Sequence, residues 1–303
     1  MNGPTTSLLV PPATLEAKAL RKARAVLAFV KPHIVVTFAL MATTGSLVAA
    51  AGKPAPILRV LAAATSVLLL SAGAECWTNI LDRDIDAVMP RTARRPLVTG
   101  QVSLLEARAL AVGLCASGLA LAAVLGPLPL VFLGLGLANN VVVYSWLTKR
   151  STPWSVVLGS LVAPLTLWAG YAAVAVPISA AAWLLGAMAG AWVLVHIWVI
   201  ALRYRQDYAA AGVPMAPLVW SRPQLVAALG ASGLAMGALA TGALFALGNA
   251  PGHWAAIPVA GASLALASTA ALAPRRARPP AWLVHAITAY LIAVLGTVLA
   301  CAL

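Results

Sequence analysis

The sequence predicts an all-α, polytopic membrane protein, a bundle of nine transmembrane helices. Hydrophobic residues make up 62% of the 303 residues and charged residues only 9%, which is too apolar for a soluble globular protein. Apolar runs of about 20 residues, the length that crosses a bilayer as a helix, recur along the chain. They are rich in Ala, Leu, Val and Gly and lack the short alternating segments of a membrane β-barrel.

Nine apolar stretches are separated by turn signals rich in Gly, Pro and Asn. We place the spans near residues 34–51, 57–78, 103–124, 127–147, 154–175, 179–202, 223–247, 254–273 and 281–302. Together they use most of the chain and leave no room for a large soluble domain. We therefore expect one transmembrane domain over 31–303. A cytoplasmic segment over 1–30 should precede it, without the pattern of a removable signal peptide.

Basic residues alternate from one connection to the next. The chain has 20 Lys and Arg against 7 Asp and Glu, a net charge of +13. In a soluble protein this excess would suggest nucleic acid, but in a polytopic membrane protein it marks the cytoplasmic connections. Basic groups precede the first span and follow the second, fourth, sixth and eighth. The sequence therefore predicts a protein of the cell (inner) membrane with its N-terminus inside, its C-terminus outside and no nucleic-acid partner.

Four of the seven acidic residues cluster at the end of the second span: Glu75, Asp82, Asp84 and Asp86. If the helix continues through residue 86, Glu75, Asn79, Asp82 and Asp86 lie within about 60° of one another, while Asp84 points away. Carboxylates at this spacing repel unless a cation lies between them. Hard oxygen ligands with room for phosphates suit Mg²⁺. Glu75 lies deeper, and we expect it to face the bundle interior, either protonated or paired.

The end of the sixth span carries a second polar stripe. The helical repeat places Trp192, His196, Arg203 and Asp207 on one face, so the two stripes could close a site near the cytoplasmic interface. His196 fits three roles: a hydrogen-bonded core histidine, a catalytic base or a ligand to an iron porphyrin.

Basic side chains follow the first stripe in the segment DRDIDAVMPRTARRPLVTG, which contains Arg91, Arg94 and Arg95. Lys149 and Arg150 lie at an equivalent depth. Carboxylates that hold a divalent cation beside Arg and Lys donors predict a diphosphate receptor. The alternative is that these residues only set the topology.

Three segments carry a resemblance to a known family: Asp82–Gly100, YSWLTKRSTP over Tyr144–Pro153, and HIWVIALRYRQDYAAAGVPMAP over His196–Pro217. In them the sequence resembles the UbiA superfamily of intramembrane prenyltransferases, and within it the protoheme IX farnesyltransferases, which make heme O. A nine-helix bundle is also that family's architecture. The resemblance therefore covers essentially the whole chain and makes 31–303 a prenyltransferase domain.

The resemblance implies a reaction. Farnesyl diphosphate would ionise with the help of Mg²⁺, and its C1 would alkylate a vinyl group of heme b. The partners it implies are farnesyl diphosphate, heme b, the lipid bilayer and the enzyme that next modifies heme O. The implied catalytic residues, which would also hold Mg²⁺, are Asp82, Asp86 and Asp207, with Asn79 as a further metal ligand. The implied diphosphate ligands are Arg91, Arg95, Lys149, Arg150 and Arg203. The implied acceptor-binding residues are His196, His33, Trp198 and Tyr208.

Other functions stay open. A UbiA-type enzyme could act on a quinone precursor or another aromatic acceptor. A transporter or proton-coupled carrier would also use intramembrane carboxylates, but it more often has internal repeats and binding groups near the midplane. A purely structural or assembly protein has no use for paired aspartates.

Overall fold

The computed structural model describes residues 15–275 and 278–303. Residues 1–14 of the expected N-terminal segment and Arg276 lie outside the described residues. Within these ranges, nine helices are long and apolar enough to cross a membrane. The prediction of an all-α, nine-span membrane protein is therefore confirmed.

The first five spans come from the first 172 residues. The helices of this part are α1 Leu15–Val30, α2 Pro32–Ala49, α3 Ile57–Leu81, α4 Arg83–Val88, α5 Leu104–Leu125, α6 Pro127–Ala138, α7 Ser155–Gly159 and α8 Val162–Ala172. The fourth span consists of α6 and a π-helical continuation over Asn139–Thr148, and the fifth consists of α7 and α8.

The last four spans are α9, α12, α13 and α14, and two short helices connect α9 to α12. The helices are α9 Ala180–Arg203, α10 Arg205–Ala210, α11 Ala216–Val219, α12 Arg222–Ala246, α13 Ala250–Leu272 and α14 Ala281–Ala302. Every span begins and ends within four residues of its predicted boundary.

Local sequence explains where several helices begin and break. Ser103 caps α5 in a reciprocal pair with Glu106, whose carboxylate accepts the Ser103 backbone N–H at 2.8 Å. The break between α7 and α8 follows from Pro164, which has no N–H to donate to the carbonyl of Ser160.

Small residues let α2 and α8 cross with their backbones in contact. A Cβ atom at Gly170 would overlap the carbonyl oxygen of Ala42, so only glycine permits this approach. The Ser46 hydroxyl donates to the Gly170 carbonyl at 2.8 Å and fixes the crossing. This contact positions the first span against the centre of the bundle.

The short helices α4 and α10 follow α3 and α9 at the same end of the bundle. We call this the aspartate end, because α4 and the residue before it carry Asp82, Asp84 and Asp86. The helix α1 packs there as well. The ring of Phe29 is buried against α3, and its carbonyl accepts a hydrogen bond from the Asn79 amide at 2.7 Å.

Candidate active site

The aspartate segment, which we define as Asp82 and α4, follows a break in the helix. The helix α3 ends at Leu81, and α4 begins at Arg83. Between them Asp82 has φ −94° and ψ 4°, away from helical values, although the Asp86 N–H still donates to its carbonyl at 2.7 Å. The helix therefore does not continue unbroken through Asp86, which was the condition for the predicted stripe.

Each of the three aspartates pairs with a different cation. The Lys149 ammonium contacts Asp82, and Arg95 contacts Asp86 at 2.5 Å. Arg150 forks onto both oxygens of Asp84, at 2.7 and 2.6 Å. Asp82 and Asp86 are each only 4% exposed, whereas the Asp84 side chain is 68% exposed. The predicted diphosphate ligands thus lie against this segment and pair with its carboxylates: Arg95, Lys149 and Arg150.

The pairs shift the protonation of their members. Hydrogen bonds from Arg150 lower the pKa of Asp84 to about 2, although burial opposes this shift. Burial would lower the pKa of Lys149, but the charge of Asp82, together with Tyr144, Tyr208 and the hydrogen bond to Asp82, raises that pKa above its ordinary value. Lys149 therefore carries its full charge across the physiological pH range.

One oxygen of this segment is left for another partner. The Oδ1 atom of Asp82 is buried and has no hydrogen-bond partner in the described part of the chain. A buried carboxylate oxygen without a donor fits a hard cation such as Mg²⁺. The amide of Asn79 is engaged at both ends, because its oxygen accepts from Arg95 at 3.3 Å and its nitrogen donates to Phe29. Asn79 as a metal ligand stays a prediction.

Asp207 lies apart from these pairs on α10. Among residues 15–275 and 278–303, its carboxylate has no ion pair or hydrogen bond. No three His, Cys, Asp or Glu side chains of the described residues are grouped closely enough to hold a metal ion. The structure therefore brings Asp82 and Asp86 together with cations, and a role for Asp207 stays a prediction.

Two other predicted diphosphate ligands lie around one tyrosine. The Arg91 guanidinium lies 4.6 Å from the centre of the Tyr204 ring, and those of Arg203 and Arg278 lie 5.8 Å from it. We call these four residues the Tyr204 arginine cluster. Arg203 also donates to the carbonyl of Pro279 at 2.6 Å. The structure thus divides the predicted diphosphate ligands into two groups.

The predicted acceptor residues are only partly brought together. The His196 ring stacks on Trp192 with ring centres 4.9 Å apart, and Thr288 lies 3.4 Å from its Nδ1 atom. His33 lies on α2, and its role beside the acceptor stays a prediction. Trp198 lies two residues from His196 and so on the other side of α9, where it packs against Trp220.

Tyr208, the fourth predicted acceptor residue, is buried on α10, with Arg91 6.0 Å from its ring centre. It belongs beside the Tyr204 arginine cluster rather than beside His196. An acceptor role for it stays a prediction.

Glu75 is paired, one of the two states expected for it. Its carboxylate lies 2.6 Å from the ammonium of Lys31, and the two side chains are only 12% and 17% exposed. Lys31 has φ 52° and ψ 69°, a left-handed conformation unusual for a residue with a side chain, at the junction of α1 and α2. The pair joins this junction to the second span.

A mostly apolar cavity lies beside Glu75. Its other walls come from α2, α3, α6 and α8 and include Phe38, Val67 and Leu133. Val67 is 15 residues before Asp82, so the cavity reaches about 20 Å below the aspartate segment. Its mostly apolar walls suit an apolar chain better than a polar group.

Sequence reasoning missed Tyr204, Arg278 and the partner of Glu75. The one feature of the sequence that could have pointed to Tyr204 is its position, directly after Arg203 at the predicted end of the sixth span. Nothing in the sequence places Arg278 beside Arg91, because 186 residues separate them.

A family model described as the UbiA prenyltransferase family matches residues 38–292, which is most of the chain. The chain belongs to the UbiA prenyltransferase family. The family assignment agrees with the nine helices and with the aspartate segment.

Curated relatives of this UbiA-family protein carry a narrower name. The protoheme IX farnesyltransferase of Thermoplasma acidophilum is 41% identical over 157 residues, which cover 52% of this chain and 54% of the relative. That of Thermoplasma volcanium is 43% identical over 162 residues, with 52% and 56% covered. The matched stretch thus spans about half the length of these relatives. Protoheme IX farnesyltransferase 1 of Cenarchaeum symbiosum is 34% identical over 207 residues, covering 65% and 68%.

Solved structures share the fold of this UbiA-family protein. A UbiA homologue from Archaeoglobus fulgidus bound to GPP and Mg²⁺ superposes with a TM-score of 0.74 at 17% identity, covering 92% of this chain and 99% of the other. The apo UbiA homologue from Aeropyrum pernix K1 has a TM-score of 0.73 at 24% identity, with 88% and 97% covered.

Proposed function

We propose that this protein transfers a farnesyl group from farnesyl diphosphate to a vinyl group of heme b, forming heme O and diphosphate. The observation that carries the proposal is the aspartate segment, in which buried carboxylates and cations are held together above an apolar cavity. A diphosphate with an apolar tail needs both features. The relatives named protoheme IX farnesyltransferase support heme b as the acceptor.

The ion pairs explain why the donor would bind together with a divalent cation. A diphosphate that accepts Lys149 and Arg95 takes these cations from Asp82 and Asp86. The two buried carboxylates then need another positive partner, because an unpaired buried charge is costly. Mg²⁺ bound by Asp82 and Asp86 would supply that charge and stabilise the leaving diphosphate.

The chain's own residues then govern the transfer. As the C1–O bond breaks, its electron pair leaves with the diphosphate, and Lys149 and Arg95 neutralise the charge that develops there. The π electrons of the acceptor's vinyl group form the new bond to C1, which leaves a cation on the adjacent vinyl carbon. Water adds to this cation and passes a proton to solvent or to the released diphosphate, which gives the hydroxyethylfarnesyl group. The apolar walls of the cavity beside Glu75 would contact the farnesyl tail.

Mass spectrometry of purified protein with heme b, farnesyl diphosphate and Mg²⁺ tests the function. We expect a product with the mass of heme b plus one farnesyl group and one water, absent when Mg²⁺ is omitted. If farnesyl diphosphate binds but heme b is not modified, the acceptor assignment is wrong, and quinone precursors are the next acceptors to test. If farnesyl diphosphate does not bind, the prenyltransferase assignment itself is wrong.

We further propose that 31–303 is a single prenyltransferase domain of the cell (inner) membrane and that its aspartate end faces the cytoplasm. Its basic connections include Arg94, Lys149 and Arg150. A cysteine at the exposed position of Thr99 should react with an impermeant maleimide only when the cytoplasmic side is accessible. A cysteine at exposed Lys53, on the connection after the first span, is the matched control and should show the opposite sidedness. The reverse pattern would overturn the orientation.

A further inference from the structure

The Tyr204 arginine cluster has a property that the aspartate segment lacks. Its three guanidinium groups come from the connection after α4, the end of α9 and the connection before α14. In the part of the chain that the structure describes, Arg91, Arg203 and Arg278 have no carboxylate within ion-pair distance. Their shared partner is the half-buried ring of Tyr204, and a cation–π contact of a solvent-exposed cation such as Arg91 contributes only about 0.5–1 kcal/mol.

Three like charges around one ring repel one another. The chain has seven acidic residues, and three of them already neutralise Arg95, Lys149 and Arg150 nearby. The positive charge of the cluster is therefore uncompensated within the described residues. Converging guanidinium groups without an acid are what an anion site requires, because the planar fork of arginine matches a carboxylate or a phosphate.

The cluster shares a face of α9 with His196. Arg203 follows His196 by seven residues, almost two full turns, so the two side chains point the same way about 10 Å apart along the helix. The half-buried ring of His196 stacks on the buried ring of Trp192, so His196 presents the accessible part of an aromatic surface on that face. A planar ring that lies against this surface would reach the cluster with groups on its edge.

We propose that the Tyr204 arginine cluster binds the propionate carboxylates of a porphyrin acceptor. This inference rests on the proposed function, because heme b is the acceptor that carries two carboxylates on one edge. Arg91 and Arg278 are exposed, so the carboxylates remain at the aqueous edge of the bundle while the ring enters it. The vinyl groups lie away from the propionates, and the cluster therefore orients the ring with its reactive edge inward.

A diphosphate is the other anion with suitable chemistry. The donor's diphosphate has its own cations in Lys149, Arg95 and Arg150, next to carboxylates able to hold a metal. Among the residues that the structure describes, the cluster has no such carboxylate pair. If the cluster binds propionates, removing its charge weakens the binding of heme b. If it binds the diphosphate, the same change raises the KM of farnesyl diphosphate, so one experiment separates the two.

The test compares the double variant Arg91→Gln/Arg278→Gln with the wild type in detergent. Arg91 and Arg278 are exposed and donate no side-chain hydrogen bond in the described residues, so the variant should fold. Arg205→Gln is the matched control, since Arg205 is exposed next to Tyr204 but outside the cluster. Titrations measure the Kd of heme b and of its dimethyl ester, and steady-state assays measure the KM of farnesyl diphosphate.

We expect the double variant to bind heme b about tenfold more weakly and to keep the wild-type KM for farnesyl diphosphate. The dimethyl ester, which has no carboxylates, should bind the wild type, the control and the double variant equally. Restoring charge with Arg91→Lys/Arg278→Lys should recover part of the affinity for heme b.

Other outcomes overturn the inference in distinguishable ways. If the double variant binds heme b as the wild type does, the cluster does not bind propionates, although the proposed function stands. If it raises only the KM of farnesyl diphosphate, the cluster serves the donor. If the wild type binds farnesyl diphosphate but neither heme b nor its ester, the proposed acceptor is wrong and the inference falls with it.

Discussion

Two groups of cations lie at the aspartate end, and they differ in their partners. Arg95, Lys149 and Arg150 each have a carboxylate of the segment that contains Asp82 and Asp86. The arginines of the Tyr204 arginine cluster have an aromatic ring and, among the described residues, no carboxylate. The paired group is neutral before substrate arrives, whereas the cluster is ready for an anion.

The difference teaches that positive charge in this protein serves two purposes that a count of Lys and Arg cannot separate. A paired cation can bind an anion only by leaving its carboxylate. Its affinity for the anion therefore depends on which positive group takes its place beside that carboxylate. The unpaired cations need no exchange. The first group suits a substrate that binds together with a metal ion, and the second suits one that does not.

The largest test of the paired group is Asp82→Asn. It removes the charge from a buried carboxylate that contacts Lys149 and has a free oxygen, and we expect prenyl transfer to fall by at least roughly 100-fold. Asp84→Asn is the control, because Asp84 lies two residues away but is exposed, and its activity should stay within about threefold of the wild type. Comparable activity in the two variants would show that burial and pairing do not mark the reactive carboxylate. Steady-state assays with excess Mg²⁺ measure both.

A second test concerns the paired state of Glu75. Glu75→Gln leaves the ammonium of Lys31 without a counter-charge in a poorly solvated place, and we expect a loss of about 2 kcal/mol in the free energy of unfolding. The double variant Glu75→Gln/Lys31→Met should recover most of this loss, since neither charge then remains. Denaturation in detergent measures the free energy of unfolding of the wild type, of the single variants Glu75→Gln and Lys31→Met, and of the double variant. Equal losses in the single and double variants would mean that the pair contributes nothing beyond packing.

A third test concerns the cavity beneath the paired group. Gly136 lines it, and the side chain of Gly136→Leu should shorten the space for the prenyl tail. We expect the preference for farnesyl over geranyl diphosphate, as the ratio of kcat/KM values, to fall about tenfold. Gly134→Leu on the same helix is the control, because a side chain there meets open space. An unchanged ratio in Gly136→Leu would place the prenyl tail elsewhere.

The smallest effect should come from the exposed pair of Asp84 and Arg150. Asp84→Asn should lower the free energy of unfolding at pH 7 by less than about 1 kcal/mol, because exposed pairs are screened by water. The pKa of Asp84 is lowered to about 2 in the folded protein, so its contribution is present above the ordinary pKa of an aspartate and is lost as the pH falls towards 2. The difference between variant and wild type should therefore shrink below about pH 4. A difference that grows as the pH falls would contradict the assigned pair.

The fold was predictable because the bilayer constrains it. A span needs about 20 apolar residues whatever its neighbours are, so hydropathy alone placed nine helices within four residues of their ends. Asp82 and Asp86 were predictable for a similar reason. The chain has only seven acidic residues, so two of them four residues apart at the end of an apolar span indicate a site.

The partners of those residues were not predictable, because tertiary contacts decide them. Lys149 meets Asp82 across 67 residues of sequence, and no local pattern selects it over Arg91. The helix breaks at Asp82, yet Asn79 and Asp86 stay side by side, because Arg95 contacts both. Asp207, assigned to the same site from its helical phase, lies beyond a second break at Tyr204.

The π-helical stretch at the end of the fourth span has a consequence for the rotational phase of that span. Backbone bonds there skip five residues, as from the Lys149 N–H to the Tyr144 carbonyl at 2.9 Å, so each turn holds more residues than an α-helix does. The number of residues between Asn140 and Lys149 therefore fixes the directions of their side chains around the helix axis. Asn140 faces the cavity and Lys149 faces Asp82. Deleting one residue from this stretch would let it rewind as an α-helix. The following ammonium would then turn away from the carboxylate, with no charged side chain altered.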